Sequence, residues 1–215
     1  MPKESSMKRR RRAGAALFGG LTAALLVSAA FGGAASAAPA WKFGVKTLEG
    51  TETISGVAIE SAMTFPGLTT KCEQLLYKMK ISNGGSTGKG EITELSFKNC
   101  STNSPACSVE SIGAKNLPWP LHLTKVVTSN YVVVEQVKVT IAYAGEECPL
   151  GETVATITGS AGGVFDNLNS TISFSPTSFK ATGTELRALG MAIEWNAFFS
   201  TEATGPHAGQ ALEVG

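Results

Sequence analysis

Cys100 and Cys107 bracket six turn-type residues, and the alternating residues 108–112 then run into Leu117-Pro118-Trp119-Pro120. This stretch constrains the fold more than any other, because a chain clipped there must reverse direction before the proline-flanked tryptophan. Cys72 and Cys148 complete a set of four cysteines. An even count in an exported chain reads as two disulfides. Of the three connectivities, Cys100–Cys107 with Cys72–Cys148 is the expected one, since the first pair needs only a tight turn between adjacent strands. On the chain-entropy model the short loop contributes about 2.5 kcal/mol and the long one roughly 4.5. Intervening stretches of 27, 6 and 40 residues, with no Cys-x-x-Cys, argue against zinc.

Export is expected from the first 37 residues. Lys8 and four arginines head an apolar stretch rich in Ala, Gly and Leu, and Ala35-Ser36-Ala37 supplies a small-x-small exit. Cleavage is placed between Ala37 and Ala38, giving a signal peptide (1–37) and one domain (38–215). The alternative is an uncleaved anchor, because about 20 apolar residues suffice to cross a bilayer. Glycines in the stretch and the small-residue exit favour cleavage. The residues after the arginines lack the bulky apolar pair of a twin-arginine signal, so the general secretory route is expected, to the cell envelope or the extracellular space. The leader holds six of the 18 basic and one of the 17 acidic residues, which leaves 12 against 16 and a net charge of −4. A nucleic-acid partner is therefore not expected, for want of a basic stripe. Nor is an integral membrane span after cleavage.

The rest of the chain carries strand signals. Leu75, Tyr77, Met79 and Ile81 share one face with Lys78 and Lys80 opposite, the period of two that a half-buried strand requires. Leu95 and Phe97 repeat the pattern, as do Val137, Val139, Ile141 and Tyr143, and again Met191, Ile193, Trp195, Ala197 and Phe199. Residues 51–64 form one strand or two, residues 154–158, 170–175 and 179–182 read as further short strands, and residues 185–189 have helical composition. Residues 38–50 are expected to begin with a loose leader and then to form a strand near Phe43-Gly44-Val45. About ten short strands separated by turns point to an all-β, disulfide-stapled β-sandwich, with a β-barrel as the alternative.

Candidate chemistry is sparse. Gly84-Gly85-Ser86-Thr87-Gly88 matches the nucleophile elbow of hydrolases, but a strand rather than a helix is expected to follow, so the serine lacks its context. His122, beside Leu121 and Leu123, is expected on the wet face, and His207 lies in a Gly-Pro loop; separated in sequence, they make no metal site. Asp166, between Phe165 and Asn167 and near Asn169, reads as an Asx turn rather than a calcium loop. Trp195 sits on a row that demands burial. Trp119, between prolines, is the candidate for a sheet margin, partial exposure and ligand contact.

The export signal, Phe97-Lys98-Asn99-Cys100, Pro105-Ala106-Cys107, Leu117-Pro118-Trp119 and the late Cys148 together resemble a group of uncharacterised secreted β-proteins of actinobacteria. There is a fainter similarity to the alkane-oxidation activator family, through the Leu-Pro-Trp segment. The resemblance implies a small exported β-protein and brings no catalytic residues or cofactor. The expectation is a non-enzymatic structural or binding domain without a cofactor, with a cell-envelope component or a small ligand as partner. A binder of a small apolar or glycan ligand is the second reading, for which a cavity lined by Trp119 would speak. A secreted hydrolase using Ser86 with His122 or His207 is the third.

Overall fold

Where apolar and polar residues alternate the chain is extended, and several strands run further than their patterning required. The computed structural model describes residues 37–85, 87–145, 148–150 and 154–215, so the leader, apart from Ala37, lies outside the described residues. Two short strands come first, β1 (Trp41–Phe43) and β2 (Lys46–Thr47). Long strands follow: β3 (Thr51–Phe65), β4 (Leu68–Gly84) and β5 (Thr87–Thr102). Then come β6 (Ser108–Ala114), β7 (Trp119–Val126), β8 (Ser129–Ala144) and β9 (Val154–Asp166). The chain continues through β10 (Thr171–Phe174), helix α1 (Pro176–Thr182), β11 (Leu186–Ala188) and β12 (Met191–Ser200), and ends with β13 (Glu202–Ala203) and β14 (Leu212–Val214).

Neighbouring strands pair antiparallel from β3 through β4, β5, β7 and β8 to β9. β9 pairs with both β10 and β11, and each of these pairs with β12. β12 then returns to β3, placing Trp195 opposite Met63. The ladder therefore closes. Taking β6 with β7, and β10 with β11, as halves of interrupted strands, the described residues make an eight-stranded up-and-down ring. A barrel of that size has an interior that side chains just fill, or that holds one small ligand. The all-β, disulfide-stapled expectation is met, and the pairing selects the barrel over the sandwich: two stacked sheets would leave β3 and β12 as edges, whereas here they bond to each other.

Inward residues carry the core. On β4 these are Leu75, Tyr77, Met79 and Ile81, and on β8 Val137, Val139, Ile141 and Tyr143, all buried. The outer face of β4 shows Lys71, Glu73, Lys78 and Lys80, the reverse of the apolar belt a lipid-facing barrel needs. No helix among the described residues is long and apolar enough to cross a membrane. Residues 51–65 form one strand, bent where Glu60 takes a positive φ. β8 is likewise continuous, with a bulge between Val134 and Val137.

Five local expectations are corrected. Residues 179–182 are not a strand. They lie in α1, which Ser175 caps by accepting from the Ser178 N–H while the Ser178 hydroxyl accepts from the Ser175 N–H. Pro176 opens that helix and Gly183, left-handed at φ 67°, ends it. Residues 185–189 are not helical: β11 and β12 form a hairpin whose central residues Leu189 and Gly190 both have positive φ. Trp119 stands at the strand end expected of it, the first residue of β7 and paired only with Ile92 of β5, but it is not partly exposed: the residue is 2% exposed.

The disulfide pairing is the fourth correction. The bonds are Cys72–Cys100 and Cys107–Cys148. The β4–β5 register sets Cys72 directly opposite Cys100, with Cα atoms 4.0 Å apart, so Cys100 is committed to the strand beside it before the turn begins. Cys107, past the turn, is left to the loop after β8. Loop lengths of 28 and 41 residues correspond to about 3.5 and 4 kcal/mol of chain entropy.

Residues 38–40 are not loose either. The Gly88 N–H donates to the Pro39 carbonyl, and the N–H groups of Ala40 and Gly215 each donate to the other's carbonyl. β1, β2 and β14 form a small separate sheet. Its Trp41 is fully buried against Phe165, and the indole N–H donates to the Lys89 carbonyl. Asn83 holds this cap by accepting from the Trp41 N–H and donating to the carbonyls of Trp41 and Leu48.

Two outcomes follow. Non-reducing peptide mapping of the oxidised protein should recover Cys72 linked to Cys100 and Cys107 linked to Cys148, with no Cys100–Cys107 peptide. Asn83→Ala should lower unfolding stability by about 1–3 kcal/mol, because it strands buried backbone groups, as read by denaturant titration.

Candidate functional site

The barrel interior holds two adjoining voids. One of about 40 Å³ is lined by Tyr77, Leu95, Trp119, Val134, Phe174 and Trp195 among others. A second of about 10 Å³ shares Leu95, Trp119, Val137 and Trp195 with it and adds Phe97. Close packing leaves few such spaces in a protein core. An unfilled apolar volume of this size costs about 1 kcal/mol.

The polar atoms of the aromatic wall are already engaged. Trp119 Nε1 donates to the Lys115 carbonyl at 2.8 Å, and Trp195 Nε1 donates to Ser61 Oγ at 2.8 Å. The Tyr77 hydroxyl donates to the Ser200 carbonyl at 3.0 Å, and burial pushes this phenol far above its ordinary pKa. Aromatic contacts fix the rings: Phe174 stacks on Trp195 at 4.8 Å, and Phe199 meets Tyr77 edge-on at 5.1 Å. Deeper along the barrel, Thr70 and Tyr143 share a buried hydrogen bond of 2.7 Å; burial raises the Tyr143 phenol and that bond partly offsets the rise. The space therefore presents ring faces and methyl groups, with no free donor or acceptor on its aromatic lining. Water has nothing to bond there, so the voids are dry.

Of the residues singled out in the sequence, Trp119 and Trp195 come together on this wall. The others stay apart from it. His122 lies on the outer face, 3.5 Å from Glu135. Asp166 accepts from the Leu168 N–H and the Asn169 amide, which hold its carboxyl below the usual range; it is an Asx turn. Ser86 lies outside the described residues, and the chain on either side of it belongs to β4 and β5, a strand–turn–strand with Gly84 paired to Thr87. Among the described residues no group of three or more His, Cys, Asp or Glu side chains is placed to hold a metal. An outer groove of about 480 Å³ over β3, β4 and β5 has a mixed lining that includes Val57, Leu76 and Leu95, and it is crossed by the Lys78–Glu94 pair at 3.0 Å.

His207 does more than a loop residue. Its ring stacks on Phe43 at 4.3 Å, and Nδ1 lies 2.6 Å from the covered carboxyl of Glu52. Burial pushes the Glu52 pKa up, but hydrogen bonds from His207 and the Thr53 N–H outweigh it and hold the group below its ordinary value. Sequence reading missed Glu52, Trp41 and Phe174. Glu52 was detectable only as a charged residue at an inward position of β3.

The fold and its interior define a class: a disulfide-stapled, eight-stranded antiparallel barrel with a dry aromatic void. Compared with known protein families, with curated proteins and with solved structures, the chain matches none.

Because the folded carboxyl of Glu52 titrates below the unfolded value of 4.5, its contribution is complete above that pH and fades as pH falls through the depressed folded value. Glu52→Gln should thus lower Tm near neutrality, and the gap from the unaltered protein should shrink with acidification below pH 4.5, as followed by thermal unfolding across the range.

Proposed function

We propose that this chain is an exported, non-enzymatic binding domain whose seat is the barrel interior and whose ligand is small and apolar. The observation behind this reading is the wall of Trp119, Trp195, Phe174 and Tyr77, whose polar atoms are all spent on the protein itself. Such a surface rewards a hydrocarbon-like guest through burial of apolar area and penalises a sugar, whose hydroxyls would be stripped of water without replacement. Between the two ligand chemistries expected from the sequence, the apolar one is favoured. Hydrolysis would need a nucleophile and base in hydrogen-bond reach; His122 on the outer face and His207 held by Glu52 leave no such pair with the aromatic wall.

Export supports the same reading, since two disulfides persist in oxidising compartments. The secretory leader, cleaved after Ala37, and a destination in the envelope or outside the cell belong to this proposal.

Xenon or benzene should raise Tm in a concentration-dependent way and perturb the indole emission, following the linkage between ligand occupancy and stability. Glucose at the same concentration should do neither. A flat response to both apolar probes would overturn the reading. The intact mass of exported protein should correspond to a chain beginning at Ala38 with all four cysteines paired.

A further inference from the structure

One interval in the barrel wall lacks a ladder. β5 bonds to β4 along its length, but on its other side it pairs only from Lys89 to Ile92, with β7. β6 pairs with β8 alone. The second half of β5 and the free side of β6 therefore run next to each other without strand hydrogen bonds. Some of their Cα atoms lie within 8 Å of one another, so the two segments are neighbours without being laddered.

Exposure marks the same interval. Inward residues of β4, β8 and β12 are buried, whereas Ile92, Leu95 and Phe97 of β5 and Val109, Ile112 and Ala114 of β6 are only half-buried although they pack on the core. Leu95 lines both interior voids, Ile92 the larger and Phe97 the smaller. The opposite faces of the void are closed by ladders, and one end of the barrel is sealed by Trp41 under its cap.

We propose that the β5–β6 seam is the portal by which small apolar molecules reach the barrel interior, with Leu95 and Phe97 as its gate. This rests on the apolar-seat reading and adds its route. A segment held by side-chain packing, without strand hydrogen bonds, opens locally at lower free energy than the laddered wall around it. The void of about 40 Å³ is far smaller than an aromatic guest, so swinging Leu95 and Phe97 outward both admits the guest and supplies its room. The guest is a compact hydrocarbon or single aromatic ring, because a charged head group would find no partner on this wall.

The chain has three tryptophans, and in Trp41→Phe both remaining indoles face the void. Dissolved oxygen, itself a small apolar molecule, then reports entry by quenching Trp119 and Trp195. On that background Phe97→Ala should raise the bimolecular quenching constant several-fold, and Phe97→Leu by less. Phe43→Leu, which loosens the cap at the end of the barrel, should leave it unchanged. Quenching that ignores both Phe97 variants, or that follows Phe43→Leu instead, overturns the portal. Benzene titration of the same proteins by thermal shift reads the seat independently. Seam-dependent quenching without any benzene shift retains the portal and removes the ligand reading; benzene binding with seam-independent quenching does the reverse.

Discussion

The pairing of β12 with β3 is the constraint on which the molecule depends. It joins the last long strand to the first, with Trp195 set across from Met63, and converts a meander with two open edges into a closed wall. Closure removes the open edges of β3 and β12 that would otherwise invite association. It also fixes which side chains face inward, because a one-residue slip would turn each row inside out. The aromatic interior is thus a consequence of register: Trp195 and Phe199 point in because Ala197 does, and their neighbours Glu194 and Asn196 point out.

Much of this was legible in the sequence where one face is buried and the other wet. The rows on β4, β8 and β12 could be read directly, since period two survives as long as a strand has one partner on each side and solvent on its back. Legibility failed where local chemistry competes with that rhythm. Ser175-Pro176 through Gly183 carries a capping box, a first-turn proline and a left-handed stop, so the helix was written in its ends and not in its apolar spacing. Leu189-Gly190 hid a hairpin because leucine is an unusual residue for a positive φ. The disulfides failed for a different reason. Proximity in sequence pointed to Cys100 and Cys107, but partner choice is decided by strand register, which depends on pairings dozens of residues away.

The candidate site was half legible. Trp119 and Trp195 stood out as residue types, yet nothing in their spacing told that β7 and β12 face each other across one interior. Their hydrogen-bonding decides the chemistry of that interior. With Lys115 and Ser61 receiving the two indole protons, the rings are left as hydrocarbon surfaces. Had either N–H pointed inward, the same cavity would have welcomed a polar guest.

The cap over Trp41 has a bearing on how the chain acquires its shape. β1 bonds to β14, so the earliest structured strand waits for the latest, while the hairpins between them need only nearby partners. Loop closure over such a span is slow relative to local pairing. A polypeptide made from its amino end therefore holds β1 through β2, Asn83 and Gly88 until β14 arrives. The β1–β14 ladder then completes the cap, and the pairing of these two strands acts as its closing knot.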